Sequence, residues 1–343
     1  MKERIKWIDY GKAIAIFMVV WGHTGLYGPL HVARYMFGMP FFFFVSGYLF
    51  SFEKYSSYKN FFTHRVKQII VPYLLFHFVT YFFWFFISRH YGDDAVGGHL
   101  TEWYVPLKGI LLGYPELMVN DIPLWFMVCL FIVENMFYAY RKFMGKWWFP
   151  LWLVVAGYVM GEVMPRLPYC INTAFVAIIF YYFGYIFKQN NKLREKLTGW
   201  LPGIICIAVY SIIVYTNGKI TMHTNGYGEN VLLFITGQVA CYVLMYNLCL
   251  MLQKNTQDIK FLSYMGRNTL IICAIHMIIF TLLKGVMVYI LDLPLDMLRG
   301  NIVPNLIFAM VSVACCVPVI YIINRYMPFM IGKSLKPKSV NVG

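Results

Sequence analysis

His23 closes the apolar run WIDYGKAIAIFMVVWGH, residues 7–23, and its imidazole is the first group in the chain able to do chemistry. An ionisable side chain in a membrane helix is expensive to bury, which makes it a functional candidate. Histidine also changes charge near neutral pH, as a general acid, base or proton shuttle must. Lys12 precedes His23 by eleven positions, about three helical turns and roughly 16 Å, so the two side chains share a face. Asp9, about four turns before His23, falls near the same face. The stripe joins the edge of a helix to a proton-transfer group deep in the bilayer.

Other polar groups sit where lipid would penalise them. Glu134 ends PLWFMVCLFIVE, nine residues after Trp125, and is the one carboxylate expected inside a span. It must face a partner: a basic group that neutralises it, or a histidine that it orients. His276, in GRNTLIICAIHMIIF, is the second expected intramembrane imidazole, and Asn268 near that helix start reads as a cap. In MPFFFFVSGYLF, Ser46 and Gly47 allow close approach of a backbone or a ligand. Arg65 and Lys67, in HRVKQIIVPY, lie at a membrane entrance. They serve as topogenic charges and also suit phosphate groups. The sequence contains no nucleotide P-loop, dinucleotide-binding glycine pattern, HExxH zinc motif or serine-hydrolase elbow. What remains is proton transfer inside a membrane cavity. Either acyl transfer or proton-coupled transport of a small metabolite or sugar precursor, with His23, Glu134 and His276 as a relay, fits that description.

These residues require membrane helices to position them. Hydrophobic residues make up 60% of the chain and charged residues 13%. Ten apolar stretches recur, at residues 13–28, 34–50, 69–88, 122–140, 148–164, 172–187, 200–216, 230–252, 268–291 and 303–323. The pattern predicts an all-α polytopic membrane protein of about ten transmembrane helices, the first retained and not cleaved as a signal peptide. With the N-terminus inside, 22 of the 29 Lys and Arg residues fall in cytoplasmic segments, so both termini are expected in the cytoplasm. That bias accounts for the net charge of +14 without nucleic acid as a partner. The eight cysteines show no metal-ligand spacing and read as packing thiols. No metal site is expected. Residues 89–121 form the longest outer loop, which either covers a cleft or acts as a tether. Residues 1–343 are read as one integral membrane domain with no soluble domain, no internal repeat and no inverted pair of broken helices.

The ordered blocks WIDYGKAIAIFMVVWGH, MPFFFFVSGYLF, RVKQIIVPY, PLWFMVCLFIVE and GRNTLIICAIH together resemble the membrane-bound acyltransferase-3 family, most closely its sugar O-acetyltransferase branch. The resemblance spans nearly the whole chain. It implies an acyl-CoA donor, usually acetyl-CoA, used from the cytoplasm as a substrate and not a bound cofactor. The implied acceptor is a hydroxyl of a cell-envelope glycan or lipid-linked sugar, and the implied location is the plasma or inner membrane. His23 matches the catalytic histidine of the family and Lys12 the basic partner in its motif. Arg65 matches the first arginine of an Arg-x-x-Arg block. Gln68 stands in place of the second, leaving Lys67 to supply charge there. Asp9, Ser46 and Trp125 complete the donor- or substrate-binding set that the resemblance suggests, with Glu134 and His276 beside His23 as catalytic candidates.

Overall fold

The computed structural model describes residues 4–25, 29–90, 102–255 and 258–333. Its helices are α1 (Lys6–Gly22), α2 (Pro29–Phe37), α3 (Met39–Leu49), α4 (Tyr58–Arg65), α5 (Val71–Phe86), α6 (Tyr104–Leu112), α7 (Trp125–Phe143) and α8 (Phe149–Val163). They continue as α9 (Ile171–Gln189), α10 (Asn191–Leu197), α11 (Trp200–Thr216), α12 (Val231–Asn255), α13 (Lys260–Arg267), α14 (Thr269–Tyr289) and α15 (Ile302–Tyr326). The only strands among the described residues are β1 (Ile220–Thr221) and β2 (Gly226–Tyr227), a two-stranded hairpin between α11 and α12. Six helices are long and apolar enough to cross a membrane, or seven if the α10–α11 pair, bent by 76°, counts as one span. Large apolar side chains such as Phe86, Trp152, Ile204 and Ile307 are exposed on the outside of the bundle. Lipid is the solvent that leaves such a surface stable, and the chain is a multi-pass membrane protein.

Several expected spans are built differently, each for a local reason. The first helix ends at Gly22, short of the predicted residue 28. The expected span 34–50 is two helices that break at Gly38. Pro40 lies just inside α3; it has no N–H to donate, so it fits a helix start and interrupts a helix interior. The third span begins early: α4 runs through a π-helical turn at Val66–Ile70 into α5. Asn268 is not a side-chain cap of α14. Its amide donates to Tyr264 O (2.8 Å) and its carbonyl accepts from Asn324 of α15 (2.8 Å), so it ties α13, α14 and α15 together. The segment 89–121 was expected to be an irregular loop; its described part contains α6, held by Tyr73 Oη to Ile110 O (2.7 Å) and by an Arg166–Glu116 ion pair. Asp93, Asp94, Gly97 and Gly98 of that loop lie outside the described residues.

Two glycine contacts set the core. A Cβ on Gly47 would lie 1.9 Å from Tyr181 O, and one on Gly184 would lie 2.0 Å from Phe44 O. Thus α3 and α9 touch backbone to backbone, which only small residues permit. Gly266 meets the Asp9 carbonyl in the same way, at 2.0 Å, and seats α13 against α1. Burial, with Arg4 as a neighbouring charge, pushes the Lys333 amine below its usual range.

Candidate functional site

The site is built on the end of α1. His23 is the C-cap of that helix (φ −91°, ψ 5°), and its N–H donates to Val20 O at 3.1 Å. A helix C-terminus leaves carbonyls unsatisfied and favours positive charge. Arg34, from α2, supplies both needs. It is 2% exposed, its Nη1 donates to Trp21 O, and its guanidinium lies 5.1 Å from the centre of the Trp21 ring. Nε of the same side chain donates to Leu30 O at 3.1 Å, so the arginine is locked between α1 and α2. Arg34 therefore positions His23.

The His276 ring lies 5.5 Å from that of His23, centre to centre. Its Nδ1 faces the carbonyls of Ile272 (3.0 Å) and Cys273 (2.8 Å), both acceptors, so Nδ1 carries the proton. Nε2 is then a bare acceptor; it is buried and bonded to no protein group among the described residues. The two histidines are thus brought together, with His276 able to take a proton passed from His23.

Two cavities meet at His23, and a third adjoins the first of them. The first, about 60 Å³, is lined by His23, Arg34, Tyr35, Met39, Trp125 and His223, among others. Trp125 and His223 face each other with ring centres 6.2 Å apart. Burial, then nearby Arg166, pushes the His223 imidazole down to about 4, so it is neutral at physiological pH. The break between α2 and α3 opens onto this cavity at Gly38, Met39 and Pro40. A second, largely apolar cavity of about 190 Å³ lies toward the Lys12 end; it carries Ser46, Gln68 and Thr269 as its polar points and shares Met39 with the first. Ile16, one turn beyond Lys12, lines it. A third, about 190 Å³, lies on the other side of His23 and includes Lys284 and Arg299.

The remaining sequence candidates distribute as follows. Ser46 and Trp125 line the cavities. Lys12 is half-buried and makes no hydrogen bond or ion pair among the described residues, whereas Asp9 is bound by Arg4 at 2.9 Å. Lys67 is exposed and lines none of these three cavities. Glu134 is not beside either histidine. Its carboxylate pairs with Arg65 Nε at 2.8 Å, with the side chains 2% and 18% exposed. Arg65 in turn donates to Gln68 Oε1 at 3.0 Å, so its fork is committed inside the protein and is not open to a phosphate. The sequence offered Glu134 two partners; the basic one is present, because Arg65 sits at the π turn that faces α7.

Sequence reasoning missed a third intramembrane imidazole and a second buried carboxylate. His77 of α5 and Asp121 lie 4.0 Å apart, 1% and 0% exposed, behind the turn Ile122–Leu124 that leads into Trp125. It also missed the positioning role of Arg34 and the cavity residues Tyr35 and His223. Arg34 carried a readable signal, an arginine among apolar residues immediately after the first helix.

An acyltransferase domain model of the acyltransferase-3 family matches residues 5–325. Nodulation protein NolL of Sinorhizobium fredii (strain NBRC 101917 / NGR234) is 25% identical over 255 residues. The match covers 68% of this chain and 65% of NolL, so the chain spans just under two thirds of that relative. No solved structure matches.

Proposed function

Because the chain belongs to the acyltransferase-3 family, we propose that it moves an acyl group, acetyl in the first instance, from acyl-CoA to a hydroxyl of a cell-envelope glycan or lipid-linked sugar. The observation that carries this reading is the His23–His276 ring pair, with His23 lining two cavities, one on each side of it. The donor enters from the Lys12 end. The apolar cavity beside Ile16 suits an extended pantetheine arm, with Ser46, Gln68 and Thr269 as hydrogen-bonding points. The roughly 16 Å from Lys12 to His23 lets a cation hold the donor phosphates while the thioester reaches the imidazole.

His23 takes the proton of the acceptor hydroxyl as general base. The oxygen attacks the thioester carbonyl, the C–S bond breaks, and the thiolate leaves. The proton held on His23 is returned to the sulfur, so the products are an ester and free CoA. His276, with its bare Nε2, orients His23 and shares its proton during the step. Transport driven by a His23–Glu134–His276 relay has less support, because Glu134 is paired with Arg65 away from both rings.

In the membrane we read ten crossings, with α2 and α3 as one broken crossing and α1, α8 and α11 as short ones. Both termini are assigned to the cytoplasm of a plasma or inner membrane, on the basis of the 22 positive charges on that side. The test uses proteoliposomes given acetyl-CoA labelled in its acetyl group and a cell-envelope glycolipid extract. Label should become covalently attached to the acceptor, and His23→Ala should lower the rate by about 10²–10⁴-fold in properly inserted protein. Uptake of label without attachment, or a His23→Ala rate above a tenth of wild type, overturns the proposal.

A further inference from the structure

The cavity on the far side of His23 is chemically unlike the other two. Lys284 and Arg299 line it together with Thr24 and Phe280, and no carboxylate does. Lys284 is half-buried on the apolar helix α14 and has no hydrogen bond or ion pair among the described residues. A half-buried lysine on an apolar helix, facing a cavity that no carboxylate lines, suits an anionic partner. Arg299 is tied to Asp296 (3.2 Å), but both are largely exposed, at 68% and 79%, and such a pair yields readily to a stronger anion.

His276, Phe280 and Lys284 succeed one another at four-residue steps on α14. Phe280 packs edge-on against the His276 ring at 5.6 Å. Lys284 therefore stands about 12 Å along the helix from the imidazole pair. The rim beyond it, at Tyr289, Ile290 and Leu291, is exposed and apolar, which is a lipid-facing surface.

Resting on the acyl-transfer reading above, we propose that this cavity is a subsite for a phosphoryl group carried on a lipid, with Lys284 as its principal contact and Arg299 at its mouth. The subsite makes the acceptor a lipid-linked glycosyl phosphate. Its anion is held at the Lys284 end of the cavity, with sugar between it and His23, and its hydrocarbon leaves sideways past Tyr289. Lys284 is then a specificity-determining residue for the acceptor and has no part in donor binding.

The purified protein in neutral detergent is titrated with dodecyl phosphate, with neutral dodecyl glucoside and with inorganic phosphate. Dodecyl phosphate should bind, Lys284→Met should weaken it about 10- to 100-fold, and Lys284→Arg should retain most of the affinity. Arg299→Gln, on an exposed turn, should weaken it by a smaller factor. It serves as the second variant should Lys284→Met fail to fold. Equal affinity in wild type and both cation variants overturns the subsite. Inorganic phosphate that competes as well as dodecyl phosphate overturns its lipid character. Transfer assays in vesicles of neutral phosphatidylcholine, with and without phosphatidylglycerol, test the source of the phosphate. If added phosphatidylglycerol fills the site, so that Lys284→Met changes acceptor KM equally for charged and neutral acceptors, the acceptor assignment falls. Absence of any acyl transfer with Lys284-dependent binding intact sinks the function and leaves the anion site. Transfer without such binding sinks the site alone.

Discussion

Glu134 separates a structural network from a catalytic one, and its removal has a calculable cost. The Glu134 carboxylate is 2% exposed and meets Arg65 Nε at 2.8 Å. Truncating one partner of a buried ion pair leaves the other charge uncompensated, which typically costs about 3–5 kcal/mol. Arg65 is 18% exposed and keeps its hydrogen bond to Gln68, so some solvation remains and the lower figure applies. Glu134→Ala should thus destabilise the protein by ~3 kcal/mol, about two decades in the folding equilibrium. The double variant Arg65→Met/Glu134→Leu removes both charges and should return to within about 1 kcal/mol of wild type, since buried pairs gain little over apolar isosteres. Reversible unfolding in mixed micelles, followed by tryptophan fluorescence, gives the three stabilities. Turnover per folded molecule at saturating donor and acceptor should stay within about threefold in Glu134→Ala, against the 10²–10⁴-fold expected on losing a catalytic acid or base. A Glu134→Ala protein as stable as wild type but a hundredfold slower would refute the reasoning and return Glu134 to the chemistry.

Lys12 should show the opposite signature: Lys12→Met raises the apparent donor KM by about 10- to 150-fold, the equivalent of a lost charge-assisted contact worth about 1.5–3 kcal/mol. Because the lysine is half-buried without a protein partner, stability should hold or rise, which steady-state kinetics and thermal unfolding check together. A second prediction concerns acid. The folded state holds His223 at about 4, below the ordinary imidazole value of 6.5. The stabilisation that its neutral form gives the hairpin is fully present above 6.5, and it is lost as pH falls from 6.5 toward 4, where the opened hairpin binds the proton first. Hydrogen-exchange protection at residues 217–230, after correction for the intrinsic pH dependence of exchange, should fall over that window in wild type and change little in His223→Gln.

The parts legible in the sequence were those carried by local pattern. His23 and His276 announced themselves as imidazoles in apolar runs, and the structure puts their rings side by side. Gly47 was read as a point of close approach and is one, against Tyr181. What was not legible depends on tertiary partners. Glu134 was correctly required to have a partner, but the choice between arginine and histidine depended on which helix faced α7. His77 and Asp121 lie on separate elements, and nothing at either position announces the other. The break at Gly38 was hidden because hydropathy runs unbroken through Met39 and the phenylalanines, although Pro40 marked it.

The irregular places in the bundle explain why the chemistry sits where it does. A 17-residue helix such as α1 reaches only about 26 Å, less than the hydrocarbon thickness of about 30 Å. Carbonyls at a buried helix end such as this one, beside the His23 cap, are tolerated only if the protein satisfies them. Arg34 does so, and by filling that role it fixes the cap geometry that turns His23 outward. The break between α2 and α3 is the second such place, and it faces the same cavity. Two helix discontinuities at one depth leave space that a pair of continuous helices would fill with side chains. Closing either one should therefore remove the cavity before it harms the fold. An unbroken α1 would swing the imidazole onto the helix surface, facing a neighbour and out of reach of the cavity beyond it. The position of His23 at a cap, and not within a turn, is what lets one imidazole be approached from two sides.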